Sequence, residues 1–292
     1  MKRPIILKMK NKKLIVLLLL MPFWVIGQIK GVVKDSLSGK PISFVNISIE
    51  GENTGTTSEE DGSFVINSTT SKKFLIFSAI GFEKKKIKAD GATVVWLKPK
   101  EYQLKEVVIS GRKGKKETEI GRVLGGVYQS NENGVRIDVK FFPYLAAYKK
   151  TKYLKRISIE TDSRIENSVM KIHFYGVDSQ GFPADDLLIK DFIVSVKKGT
   201  RTSVFDISEF NLTMPKTGLF VGFEKLFIEK NKIEKTITYK NEARVMKTYS
   251  PYILYNTINT EKYLIYTNGQ WQWQTAENKT ANEPAIYVVL CN

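Results

Sequence analysis

The sequence predicts an all-β protein built as two β-sandwich domains in series. Three observations carry that prediction. Short runs alternate apolar and polar residues from Gly31 to the C-terminus, glycine-bearing turn dipeptides separate them, and neither a long amphipathic helical pattern nor an internal repeat interrupts them. With 292 residues the chain is long enough to bury a core in each domain.

The first domain is read over residues 28–110. Gly31-Val32-Val33-Lys34-Asp35 opens it, Ser38-Gly39-Lys40-Pro41 supplies a turn, and Ile42 to Ile49 continues as strand. Asp61-Gly62 stands between Thr54–Ser58 and Ser63–Asn67. An Asp-Gly dipeptide flanked by alternating runs predicts a hairpin, because the turn needs positive φ. Gly111-Arg112-Lys113-Gly114-Lys115-Lys116 has no apolar member and reads as a basic linker over 111–118.

The second domain is read over 119–292. Val135, Ile137, Val139 and Phe141 alternate with Arg136, Asp138 and Lys140, and Ile157 and Ile159 with Arg156, Ser158 and Glu160. Met170, Ile172 and Phe174 alternate with Lys171, His173 and Tyr175. Period two marks a strand with one buried face, so the single histidine, His173, is expected on the face opposite Met170, Ile172 and Phe174, exposed or at an interface. Asn268-Gly269 predicts a two-residue hairpin that pairs Thr267 with Gln270, Tyr266 with Trp271 and Leu264 with Trp273, all of the last four on one face. Pro284 is expected to open the last strand, Ala285 to Cys291.

The first 27 residues carry six basic groups (Lys2, Arg3, Lys8, Lys10, Lys12, Lys13), no acid, and an apolar run from Leu14 to Ile26. This is the pattern of a secretory signal peptide cleaved before Gln28, with an uncleaved anchor as the lesser reading; the apolar run is short against the roughly 20 residues a membrane span needs. No Cys follows it, which argues against a lipoprotein anchor. The expected location is therefore outside the cytoplasm, in the periplasm or associated with the outer membrane. The formal charge is +16 for the whole chain; without the leader, 40 basic groups face 30 acidic ones, a net of +10. That charge suits anionic envelope surfaces, and no motif points to nucleic acid. One cysteine, Cys291, excludes an internal disulfide.

The motifs of the first domain carry a resemblance. Gly31-Val32-Val33-x-Asp35-x(3)-Gly39-x-Pro41-x(3)-Val45, Gly55-Thr56-x(4)-Asp61-Gly62-x-Phe64, Phe77-Ser78-x-Ile80-Gly81-Phe82 and Leu104-x-Glu106-Val107-Val108 resemble the carboxypeptidase-regulatory-like domain. The resemblance implies a prealbumin-like, seven-stranded sandwich, found as an extension of TonB-dependent outer-membrane receptors and in exported proteins of Bacteroidetes type, with no catalytic residues to transfer. A receptor barrel of 22 strands, each about 9 to 11 residues long, would need more residues than follow Gly111. The run from Ile172 to Leu188, with Phe205-Asp206-Ile207-Ser208 and Gly218 to Glu224, is similar to jelly-roll modules, which implies two packed antiparallel sheets.

Catalytic constellations are not evident. One histidine cannot build the multi-imidazole site of a zinc peptidase, and no Gly-x-Ser-x-Gly elbow makes His173 a hydrolase base. Asp185-Asp186 is the best carboxylate pair for glycoside chemistry, but adjacent residues would point apart in a strand, and after Gly181-x-Pro183 the pair is expected in a loop, where one of them caps backbone. Glu59-Glu60-Asp61 reads as a solvated turn. Four Asn-x-Ser/Thr sequons, at Asn46, Asn67, Asn211 and Asn278, are read as chance. The best ligand platform is the aromatic face of Tyr266, Trp271 and Trp273, for which membership of the core is the competing reading. The sequence thus predicts a non-catalytic exported accessory or interaction module that binds an envelope protein or a glycan, with no cofactor or metal. A carbohydrate-active protein using the Trp271/Trp273 hairpin and a structural spacer are the alternatives.

Overall fold

Seven strands form the first half, and the computed structural model arranges them in sheets of three and four. The structure describes residues 28–67, 73–101, 116–123, 125–129, 134–239 and 242–292. The expected leader, the Leu104–Val108 motif and the linker as far as Lys115 lie outside these residues. Glu117 and Thr118, expected in the linker, are already strand.

Gln28–Asp35 pairs antiparallel with Ser63–Asn67 and parallel with Val94–Leu97. Facing it is the sheet ordered Gly55–Thr57, Asn46–Ile49, Phe74–Ser78, Lys85–Lys88. Val33, Val45, Ile47, Phe64, Leu75, Phe77, Val95 and Leu97 fill the space between. The Asp61-Gly62 turn forms, with Gly62 at φ +76° and the Ser63 amide donating to Asp61 Oδ1 at 2.9 Å. It does not close a hairpin: the strand before it joins the four-stranded sheet and the strand after it the three-stranded one. Pairing with Gln28–Asp35 puts Phe64 and Ile66 in the core, and the crossing chain is satisfied by the Ser58 hydroxyl, which accepts from Val45 N and donates to Ile42 O. A local turn signal cannot tell which sheet each arm will join.

The second half is two antiparallel sheets packed face to face, as the jelly-roll resemblance implies. One sheet runs Pro183–Asp186, Ser168–Val177, Leu219–Lys225, Ile137–Phe142, Lys262–Thr267, Gln270–Thr275, and the other Thr280–Pro284, Tyr252–Asn259, Tyr153–Ser163, Ile286–Cys291, Glu117–Ile120. Ile157, Ile159, Ile172, Phe174, Val221, Phe223, Ile253 and Val288 meet between them. Two expectations change. Pro284 closes the strand Thr280–Pro284, and Ile286–Cys291 is a central strand with Cys291 buried. Ile137–Phe142 is buried on both faces except at Phe141, which was expected inward and is exposed: Phe142 faces the main core and Asp138 reaches Tyr255, while Ile137 and Val139 join Tyr175, Phe220 and Leu264 on the outer face. Period two was present, but the side away from the core is also covered.

What covers that outer face near its centre is the first half. Asn46–Ile49 shows why: Ile47 and Ile49 enter its own core, and Asn46 and Ser48, on the other side, are also buried. Phe44, at φ +54°, packs on Val169, Leu226, Ile228 and Ile193 of the second half. Backbone and side chains stitch the seam: Phe227 N donates to Thr57 Oγ1 at 3.1 Å, Glu229 N to Glu59 Oε1 at 2.9 Å, and Thr267 Oγ1 to Asn53 Oδ1 at 3.3 Å. Glu59 is therefore an interface acceptor and not a residue of a purely solvated turn. Gly134, at φ +81°, lies so close that an added Cβ would meet the Asn53 carbonyl. Away from the seam, Lys232–Tyr239 and Glu242–Tyr249 form a two-stranded ribbon that pairs with no other described strand.

Candidate functional site

The strand Ser168–Val177 lies at the centre of the site. Its even residues enter the core, so Lys171, His173 and Tyr175 stand together on the outer face, beneath the first half. Across the ladder, His173 is opposite Gly222, and Lys171 opposite Glu224. Glycine leaves the position beside the imidazole empty. The ring reaches diagonally to Glu224, with Nε2 to Oε2 at 3.1 Å, while Nδ1 meets Asp186 Oδ2 at 2.8 Å.

His173 is only 4% exposed, so its charge must be compensated. Burial alone would favour the neutral ring, but the hydrogen bonds to Asp186 and Glu224 and their charges outweigh it and raise its pKa to about 9. At neutral pH it is an imidazolium donating from both nitrogens. Burial likewise opposes the Lys171 ammonium, and the charges of Asp191 and Glu224 reverse that and push its pKa up. Lys171 Nζ lies 3.0 Å from Asp191 Oδ1 and 3.8 Å from Glu224 Oε2, and donates at 2.7 Å to the Phe44 carbonyl of the first half. Glu224 is held below the usual carboxylate range because Lys171 and His173 overcome its burial; its second oxygen accepts from Asn46 Nδ2 at 2.6 Å. The first half thus contributes a carbonyl and an amide to a charge cluster whose ions belong to the second half.

Beside this cluster a cleft of about 440 Å³ opens between the halves. Ser78–Phe82, Lys84 and Lys100 line it from the first half, and His173, Tyr175, Pro183–Asp186, Tyr266 and Trp271 from the second. A row of rings forms one wall. His173 stacks on Tyr175 at 5.4 Å and 8°, Trp271 meets Tyr175 edge-on at 5.3 Å and Tyr266 at 5.2 Å, and Lys84 lies over Tyr266 at 5.2 Å. Lys84 also donates to the Gly269 carbonyl. At the rim, Lys100 and Asp185 pair at 2.7 Å.

The expected Asn-Gly hairpin is present with the expected register, Thr267 to Gln270, Tyr266 to Trp271 and Leu264 to Trp273. Asn268 and Gly269 both have positive φ, as a type I′ turn requires. The structure separates the three platform residues. Tyr266 and Trp271 line the cleft, half-buried; Trp273, 42% exposed, lies apart from it beside Phe182 and under Lys262. Asp185 and Asp186, expected in a loop, end the strand Pro183–Asp186 beside Ser168–Val177 and so point apart, the first to Lys100 and the second to His173; Asp186 Oδ1 also accepts from Leu188 N, the expected backbone cap. Asn46, the first sequon, is buried with its amide on Glu224.

Sequence reasoning missed Glu224, Lys171 and Asn46 as members of a site. The signal was there for Glu224: a lone acid directly after the apolar run Leu219–Phe223, set in a strand buried throughout, has to be paired. Nothing local pointed to Asn46, whose partner is 178 positions away. Among the described residues no three His, Cys, Asp or Glu side chains converge as a metal site, and no helix is long and apolar enough to cross a membrane.

Comparison with known proteins supports the first half only. Residues 29–109 match the model of the CarboxypepD_reg-like domain, the family expected from the Gly31–Val108 motifs. No protein with curated annotation matches the chain. Two solved structures are similar at a low level. Infectious bursal disease virus strain Gx is 8% identical with a TM-score of 0.24, over 85% of this chain and 60% of that one. The Gt strain is 9% identical with a TM-score of 0.23, over 90% of this chain and 63% of that one. The chain thus spans about three fifths of their length, and a likeness this weak carries no argument.

Proposed function

We propose that this chain is an exported, non-catalytic interaction module of the cell envelope, which holds an envelope protein or a glycan in the cleft between its two halves. The observation that carries the reading is the saturation of the polar groups in the cleft floor. Both His173 nitrogens, both Glu224 oxygens and both Asp186 oxygens have partners. An imidazolium with a pKa of about 9 is a poor proton acceptor at neutral pH, where a general base should sit near the working pH. The carbohydrate-active alternative needed Asp185 or Asp186 as an acid, and each is held by a cation. A recess with ring-lined walls and a preformed, rigid floor is instead the ordinary geometry of a binding site.

The match over residues 29–109 to a domain family without catalytic residues supports the same reading, as do the leader-like first 27 residues and the net +10 that remains without them. The location is the periplasm or the outer membrane. A pull-down from detergent-solubilised envelopes tests it, with tagged protein starting at Gln28 and washes at high salt to remove contacts made by net charge alone. One envelope protein or glycan recovered in stoichiometric amount, and lost on Trp271→Ala, is the expected result. Recovery unaffected by Trp271→Ala would remove the cleft from the reading, and steady substrate turnover by the purified protein would overturn it altogether.

A further inference from the structure

We infer that the cleft takes an uncharged, polyhydroxylated ligand, the end or a short segment of a neutral glycan, with one sugar ring against Trp271 and Tyr266 and a hydroxyl on Tyr175. This rests on the reading of the cleft as the recognition surface and adds the ligand class.

The cleft has the size of a small-molecule site, about 440 Å³ against a usual range of roughly 300 to 1,000 Å³. Its wall combines half-buried aromatic rings with polar groups, which fits a ligand that has both an apolar C–H face and hydroxyls around its edge. Tyr175 is the second observation. Its side chain is 7% exposed and lines the cleft, and its hydroxyl opens to the cleft and is not among the buried polar atoms without a partner. Burial and the nearby Asp186 and Glu224 charges keep that phenol neutral, so it is available as donor or acceptor. A ligand hydroxyl can take the place of water on that phenol without loss of a protein hydrogen bond.

Charge decides against an ionic ligand. Lys100 is paired with Asp185, Lys84 with the Gly269 carbonyl and the Tyr266 ring, and His173 with two carboxylates. A charged ligand would have to compete with Asp185 for Lys100, with the two carboxylates for His173, and with the Gly269 carbonyl and the Tyr266 ring for Lys84. A neutral polyol needs no such exchange. It meets acceptors on Asp185, whose side chain is 77% exposed, and donors on Lys100 without displacing either.

The test is calorimetric titration of protein starting at Gln28 with neutral oligosaccharides and with their uronic-acid counterparts, at low and high salt. Expected is saturable binding of at least one neutral glycan, insensitive to salt, weakened about tenfold or more by Trp271→Ala, weakened several-fold by Tyr175→Phe, and unchanged by Trp273→Ala. Tyr175→Phe keeps the ring and guards against a folding defect in Trp271→Ala, and a thermal melt of each variant checks it. Binding of acidic glycans only, equal binding by both cleft variants, or no binding across the panel would overturn the inference. The envelope pull-down separates the two levels: a partner lost on Trp271→Ala while no glycan binds leaves the cleft as the recognition surface and removes the glycan, whereas a partner kept removes both.

Discussion

His173 holds its proton more tightly in the fold than in the unfolded chain, and this gives stability a definite pH dependence. The unfolded imidazole titrates near 6.5 and the folded one near 9. Below 6.5 both states are protonated and the stabilisation is full. Between the two values the native state binds more protons, so stability falls as pH rises, by up to about 1.4 kcal/mol per pH unit from this group. Above about 9 the contribution is gone. Glu224 works in the opposite direction, its contribution full above 4.5 and lost as pH falls from there through its depressed folded value. Urea unfolding followed between pH 6.5 and 9 should therefore show a decline, and His173→Gln should flatten it; a wild-type profile as flat as the variant's would mean that the ring is neutral in the fold. Lys171→Met leaves Asp191 and Glu224 without their ammonium and removes the donor to Phe44 O. Losing one partner of a buried charge network costs about 3–5 kcal/mol, read as a lower urea midpoint at unchanged slope.

At the scale of elements, one turn and one strand pairing set the site. Gly269 combines φ +77° with a place where an added Cβ would lie 3.0 Å from Ile76 Cγ2 of the first half. Gly269→Ala should therefore destabilise by about 1–3 kcal/mol through backbone strain and loosen the Tyr266–Trp271 wall. Near-ultraviolet circular dichroism reads the loosening as a weaker aromatic signal, and an unchanged spectrum and melt would contradict it. Gly222 has the same kind of role in a strand, since a Cβ there would crowd Val139 at 2.9 Å. The ribbon Lys232–Tyr239/Glu242–Tyr249 offers the contrast. Val245 is exposed and pairs only across the ribbon, so Val245→Lys should change unfolding free energy by no more than about 0.5 kcal/mol; a larger loss would mean that the ribbon packs on something.

At the scale of the molecule, the two halves share ions, carbonyls and amides in a buried seam. Separating them would expose Lys171, His173 and Glu224 with Asn46 and Phe44 O no longer in place. Unfolding one half therefore uncovers uncompensated polar groups on the other, and the expected thermal scan is one transition with calorimetric and van't Hoff enthalpies equal. Two resolved transitions would mean that the halves melt independently and that the seam contributes little.

How far the sequence reaches follows from the range of each signal. The Asn268-Gly269 register, the inward set Met170, Ile172 and Phe174, and the family of the first half were legible because alternation, positive-φ turns and short motifs act over a few residues. The Asp61-Gly62 turn marks the limit: its dihedral was predictable and the sheet membership of its arms was not. His173 was placed on the correct face, but its burial, its proton and its partners depend on Glu224, 51 positions away, and on Asn46, which reaches Glu224 across 178. The sequence by itself determined an all-β chain with its turns, strand faces and aromatic hairpin, because those are set by local sterics and by the period of the backbone. Only the tertiary structure decided that the polar face of Ser168–Val177 is buried and charged, that Trp271 and Tyr266 wall a cleft while Trp273 does not, and that the two halves close on one cluster. These depend on which surfaces dock, and docking is settled by desolvation and charge compensation between residues that have no neighbourhood in the chain.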